Sequence, residues 1–168
     1  PSYLLGGYQK YYSSDKLTSI NLGEIIIEEQ RDILEKNSRQ DHVYTFVDLS
    51  KIMSLKNKID NIANLVFTQG KKTDLEAIRG NAGDVKLLHY FESSSSYEWK
   101  DYASFDIYNL LYNLSINTNF TNEIKELASD CYTLLDEATI YSYGGSDYSG
   151  FEKNKNGLAI FFPNGNYW

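Results

Sequence analysis

Residues 44–66 read YTFVDLSKIMSLKNKIDNIANLV. Tyr44, Thr45, Phe46 and Val47 are β-formers. The aspartate that follows is a residue type that accepts a hydrogen bond from a free N–H in a first helical turn. Beyond it Ile52, Leu55, Ile59, Ile62, Ala63 and Val66 recur every three or four positions, which predicts a helix with one apolar face. The stretch is therefore a strand, a cap and an amphipathic helix.

A second stretch reads alike. LTSINLGEI at 17–25 sets Thr18, Ile20, Asn21, Leu22 and Ile25 against Thr45, Val47, Asp48, Leu49 and Ile52. The reading is two βα units, at 17–40 and 44–67. Asn21 is the expected cap of the first, with Ile26, Ile27, Ile33 and Leu34 as its inner face. Two copies are too few to argue a repeat architecture.

Further out, residues 3–12 carry helical spacing weakened by Gly6 and Gly7. DLEAIRGNAGD, from Asp74, predicts a short helix closing at Gly80 or Gly83. VKLLHYF at 85–91 is an apolar run, and the serines of ESSSSYEWKDY at 92–102 mark a surface loop. SFDIYNLLYNLS at 104–115 predicts a helix with Phe105, Tyr108, Leu111 and Leu114 on one stripe. NFTNEIKELASDCYTLLDEA at 119–138 predicts another, capped by Asn119 or Thr121. ATIYSY at 138–143 is a short strand. GLAIFFP at 157–163 is apolar throughout and stopped by proline, which suits a strand covered on both faces. Strands alternating with long helices favour an α/β fold with three layers, α/β/α.

The bulk numbers narrow the function. A chain of 168 residues is a single domain or a domain fragment. Its net charge of −7 works against nucleic-acid binding, which needs clustered Lys and Arg, and offers no anchor to an anionic membrane. No apolar run approaches a transmembrane length. One cysteine precludes an internal disulfide framework and any Cys-rich metal site. The sequence starts at Pro1 with no signal-like segment, so it reads as a piece of a longer polypeptide.

The residues that could do chemistry are few. Cys131 lies on the stripe Ile124, Leu127, Leu134 and Leu135, where a thiol is a small core residue and a poor nucleophile. His89 sits in an apolar run and reads as packed; His42, in RQDHVYT, reads as a surface residue. Asp101, Asp106, Asp130 and Asp136 are scattered and form no acid–base pair. YGGSDYSG is not a phosphate loop. DYSGFEKNKNG holds oxygen ligands, but not at EF-hand positions.

Four segments in order carry a family resemblance: residues 44–66, DLEAIRGNAGDVKLLHYF at 74–91, WKDYASFDIYNLLYNL at 99–114, and DEATIYSYGGSDYSGFEKNKNGLAIFFP at 136–163. Across roughly residues 43–163 the chain resembles clostripain-like cysteine peptidases, family C11 of the caspase–gingipain clan. Asp101-Tyr102 and Asp106-Ile107-Tyr108 match that family's helix motif, and residues 157–163 match its last strand. The resemblance implies a caspase-like fold of which this chain is the C-terminal part. It also implies a catalytic His–Cys dyad and an acidic specificity pocket selecting Arg or Lys. Both dyad segments precede the matched region; His42 and His89 lack the family's His-Gly context, and Cys131 aligns with a helix position.

The implied function is the non-catalytic, post-nucleophile portion of a cysteine endopeptidase. It would complete the fold and help shape the substrate groove, with Tyr97, Trp99, Asp147 and Tyr148 as candidate contacts. Its implied partners are an upstream half bearing the dyad and a peptide substrate. No cofactor is expected in this chain, calcium is left open for the parent family, and the implied localisation is secreted or cell-surface. The competing reading is a stand-alone extracellular binding module that uses exposed Tyr and Trp residues. The unit at 17–40 falls outside the resemblance.

Overall fold

The computed structural model describes residues 18–40, 42–78, 104–148 and 150–162. The expectations for residues 3–12, for His89 and the run at 85–91, and for Tyr97 and Trp99 lie outside them. The chain divides into two units, one formed by residues 1–47 with 139–157 and the other by 48–138 with 158–168.

In the first unit, helix α1 spans Ser19–Lys36. It opens on a capping box: the Thr18 hydroxyl oxygen accepts from the Asn21 N–H at 3.1 Å, and Asn21 Oδ1 accepts from the Thr18 N–H at 3.4 Å. Thr18 is thus the cap, and Asn21, the cap expected from sequence, is its reciprocal partner inside the first turn. The expected β-like run before it is already helix, so the likeness of 17–25 to 44–52 is a likeness of letters: Ile20 is helical where Val47 is strand. The inner face is Ile25 and Ile27, whereas Ile26 and Ile33 are exposed.

Strand β1, Val43–Val47, pairs antiparallel with strand β3, Thr139–Gly144, with a register shift at Phe46/Val47. Two rungs tie α1 to this ribbon. The Tyr141 hydroxyl donates to Glu28 and the Tyr143 hydroxyl to Glu35. Arg31, one turn from each acid, pairs with Glu28 and lies 5.4 Å over the Tyr143 ring.

The second unit holds the large core. Helix α2, Leu49–Thr68, starts as expected: Asp48 Oδ1 accepts from the Ser50 N–H at 2.9 Å. The Ser50 hydroxyl donates to the same oxygen at 2.7 Å, and these two bonds, the hydroxyl's first, hold the Asp48 carboxyl below its ordinary value. Leu55, Ile62 and Val66 are buried, Ile52 and Ile59 partly so, and Ala63 is exposed. The short helix α3, Lys72–Glu76, follows Gly70, whose φ of +65° ends α2 without a steric cost.

The helix expected over residues 104–115 begins later. Ser104–Asp106 is strand β2, and helix α4 covers Ile107–Ile116. Asp106 is the reason: fully buried, it accepts from the Asn109 N–H at 2.8 Å and caps α4, leaving Phe105 in extended backbone. Helix α5, Asn122–Ala138, begins after Thr121, whose carbonyl accepts the Lys125 N–H at 3.1 Å while its hydroxyl donates to Gln69 at 2.8 Å. Leu110, Leu111 and Leu114 of α4 and Ile124, Ala128, Cys131 and Leu135 of α5 join the α2 stripe in one buried cluster. Ion pairs Lys51–Glu137 at 3.2 Å and Lys58–Asp130 at 2.7 Å link α2 to α5 at the surface.

Strand β4 is only Ala159–Phe161 and pairs antiparallel with β2. This corrects the expectation of a strand covered on both faces. Ile160 packs on the core, but Ala159 and Phe161 are exposed, Phe161 to 66%. The described strands form two antiparallel pairs flanked by helices, a mixed α/β arrangement.

Candidate functional site

Cys131 decides whether the chain has a nucleophile of its own. It lies mid-helix in α5 at 0% exposure, between Ala128 and Leu135 on the core face. Burial pushes its thiol up to about 11; Lys58 opposes the shift and Asp130 adds to it. A nucleophilic cysteine needs the opposite: a depressed pKa, access, and a base in hydrogen-bond reach.

His42 departs from expectation. It is 8% exposed rather than on the surface, because its ring stacks on Tyr143 with centroids 5.6 Å apart. Both ring nitrogens are buried, and neither has a hydrogen-bond partner. Neighbouring aromatics were the missed signal: Tyr44 lies two residues on, in β1, and Tyr143 faces Tyr44 across the ribbon.

Of the four candidate groove residues, Asp147 and Tyr148 lie on the turn after β3. The Gly145 N–H donates to the His42 carbonyl at 2.8 Å and the Asp147 N–H to the Gln40 carbonyl at 3.3 Å, so the turn is clipped to residues 40–42. The Asp147 side chain is exposed and Tyr148 is half-buried.

The rest of that connection folds on itself. The Ser142 N–H donates to Asn154 Oδ1 at 3.1 Å, the Asn154 N–H returns a bond to Ser142 Oγ at 2.8 Å, and Asn156 Oδ1 accepts from the Glu152 N–H at 2.7 Å. Lys155 pairs with Glu152 at 2.8 Å. Three side-chain oxygens of the loop, Asn154 Oδ1, Asn156 Oδ1 and a Glu152 carboxylate oxygen, are thus engaged within it. Among the described residues no group of three or more His, Cys, Asp or Glu could hold a metal ion, and no helix is long and apolar enough to cross a membrane.

An open groove of 480 Å³ lies between α2 and α5, lined by Asn61, Asn64, Leu65, Glu123, Glu126, Leu127 and Asp130. It contains carboxylates and amides, with neither thiol nor imidazole.

The sequence model of the clostripain family matches residues 7–167. The chain belongs to the clostripain family. It is 38% identical over 161 residues to clostripain of Hathewaya histolytica, an alignment that takes in 96% of this chain and 30% of that protein. The match is wider than the segments that carried the resemblance. It includes the unit at 17–40, so α1 is part of the family's fold rather than an addition to it.

Proposed function

We propose that this chain is the portion following the catalytic cysteine of a clostripain-like cysteine endopeptidase that cleaves after Arg or Lys. One observation carries the reading: a family match along nearly the whole chain that corresponds to 30% of the relative's length. The buried Cys131 supports it from the other side, since the matched portion has no usable thiol of its own.

In this reading the His–Cys dyad and the acidic specificity pocket lie upstream in the same polypeptide. The chain completes a caspase-like three-layer fold, and its loops at 92–101 and 143–156 help shape the groove that receives the peptide. Its contribution to rate is positional: a dyad is productive only when the scissile bond is held against it within a fraction of an ångström. The parent protein acts outside the cell or at its surface.

The test is turnover of an arginyl fluorogenic peptide. The full-length protein cleaves it, and the purified 168-residue chain does not, with or without reductant. Turnover by the 168-residue chain that disappears in Cys131→Ser would overturn the assignment.

A further inference from the structure

The connection from β3 to β4 carries Lys153 and Lys155. A polar surface loop of this kind is where a folded chain is most readily nicked. This one is tied down. Asn154, between the two lysines, is pinned to Ser142 of β3 by two bonds: its N–H donates to Ser142 Oγ at 2.8 Å, and its Oδ1 accepts the Ser142 N–H at 3.1 Å. Ser142 is fully buried. Residues 152–156 close into one turn, in which the Lys155 and Asn156 N–H groups donate to the Glu152 carbonyl at 3.2 and 3.1 Å. Asn154 takes a left-handed φ of +64° within it, a conformation that asparagine tolerates better than most residues. Both ammonium groups are engaged as well. Lys153 Nζ lies 4.5 Å from the centroid of the Tyr141 ring, and Lys155 pairs with Glu152.

We infer that the Asn154–Ser142 pin protects Lys153 and Lys155 from cleavage by the parent protein's own activity. The inference rests on the reading above, of a peptidase that cleaves after Arg or Lys and whose groove this loop helps to shape. On that reading the two lysines are self-substrates by chemistry and by place, and conformation is what withholds them. A peptide bond is cut when its carbonyl is held against the nucleophile in a near-attack geometry. A bond inside a closed turn reaches that geometry after the turn opens, so its cleavage rate follows the population of the open form. The two bonds between Asn154 and Ser142 set that population.

Two variants of the full-length protein release the pin. Ser142→Ala removes the acceptor of the Asn154 N–H; Asn154→Gly removes Oδ1 and keeps a residue at ease with positive φ. In a first arm the parent's nucleophile is blocked with iodoacetamide, from which Cys131 is buried, and trypsin is added as an outside Lys-directed peptidase. Mass spectrometry times the fragments ending at Lys153 or Lys155. They should appear about two- to tenfold faster than from wild type, the effect of one lost hydrogen bond on the opening equilibrium, with cleavage after Arg31 in α1 unchanged. Equal rates in variant and wild type, or an equal rise at Arg31, overturn the inference. In a second arm the unblocked protein is incubated alone, and self-cleavage after the two lysines is scaled to each variant's turnover of an arginyl peptide. It should rise as trypsin cleavage does. A variant that turns over the peptide, is cut by trypsin and leaves its own loop intact overturns the self-protection. A variant that trypsin cuts but that turns over no arginyl peptide removes the peptidase reading, and the self-protection with it, while the pin stands.

Discussion

Gly157→Ala probes the join between the β3 ribbon and the loop that follows it. Gly157 has φ +122°, a conformation L side chains rarely adopt, and an added Cβ would stand 2.0 Å from Thr45 Oγ1 and 3.2 Å from Thr45 Cβ. Two costs therefore add. Backbone strain at such a φ is about 1–3 kcal/mol, and forcing a methyl into filled space is about 1–3 kcal/mol. The centre of the sum is about 4 kcal/mol, which for a chain of this size lowers Tm by about 8–16 °C. The two terms separate experimentally. Thr45 Oγ1 is buried with no hydrogen-bond partner, so Thr45→Ala sacrifices no bond while clearing the closest contact. The Gly157→Ala/Thr45→Ala double variant should recover about 1–2 kcal/mol relative to additivity, with the strain term remaining. Denaturant unfolding followed by circular dichroism, with all four members of the cycle, reads both quantities. A Gly157→Ala variant within about 1 kcal/mol of wild type, or a coupling near zero, would refute the placement of Gly157 against β1.

Cys131→Ser should leave any peptidase activity of the full-length protein unchanged while costing about 1–3 kcal/mol of stability, because it buries a hydroxyl among Ile124, Ala128 and Leu135. The thiol also marks stability against pH. Its value in the fold, about 11, lies above the ~8.5 of an unfolded cysteine. The folded state thus keeps a proton that the unfolded chain loses. Its stabilising contribution is full below about pH 8.5 and is lost as pH rises toward 11, by up to about 3 kcal/mol. The wild-type minus Cys131→Ala difference in unfolding free energy across that window isolates it from the tyrosines and lysines; a flat difference contradicts the burial. Gly145→Ala would put a Cβ 2.0 Å from the Gln40 carbonyl oxygen. It should unclip the turn at 145–148, read as faster amide exchange at position 145 and at Asp147 and unchanged exchange within α5.

Much of the fold could be read from sequence where one local signal had no competitor. Asp48 followed by an apolar stripe gave α2 with its cap, and the stripe through Cys131 gave α5 with its buried face. The errors came where one residue could serve two roles. Asp106 can continue a helical stripe or stop a strand and cap the next helix. Its full burial, which no local pattern displays, favours the cap, because a buried carboxylate needs the backbone donors of a helix start. Thr18 and Asn21 both cap well, and the capping box uses both, shifting the helix start by three residues from the one inferred. The burial of His42 has no local sign, because its ring rests against tyrosines of two paired strands and Tyr143 is far along the chain.

The candidate site was legible in a different sense. No arrangement of side chains in the described residues announces proteolysis; the order of four segments did, and the family match then extended it to residues 7–167. The same distribution of information explains why Phe161 was expected to be buried and is exposed. Residues 157–163 carry the composition of the environment in which they were selected, which need not be the environment these residues make by themselves. Ile160 packs on the core built by α2, α4 and α5, whereas Phe161 and Ala159 are exposed. A finished water-facing strand would have Thr, Lys or Glu at those two positions. The thiol sealed in the core makes Cys131 a packing residue, and the family match rather than any side chain among the described residues carries the functional reading.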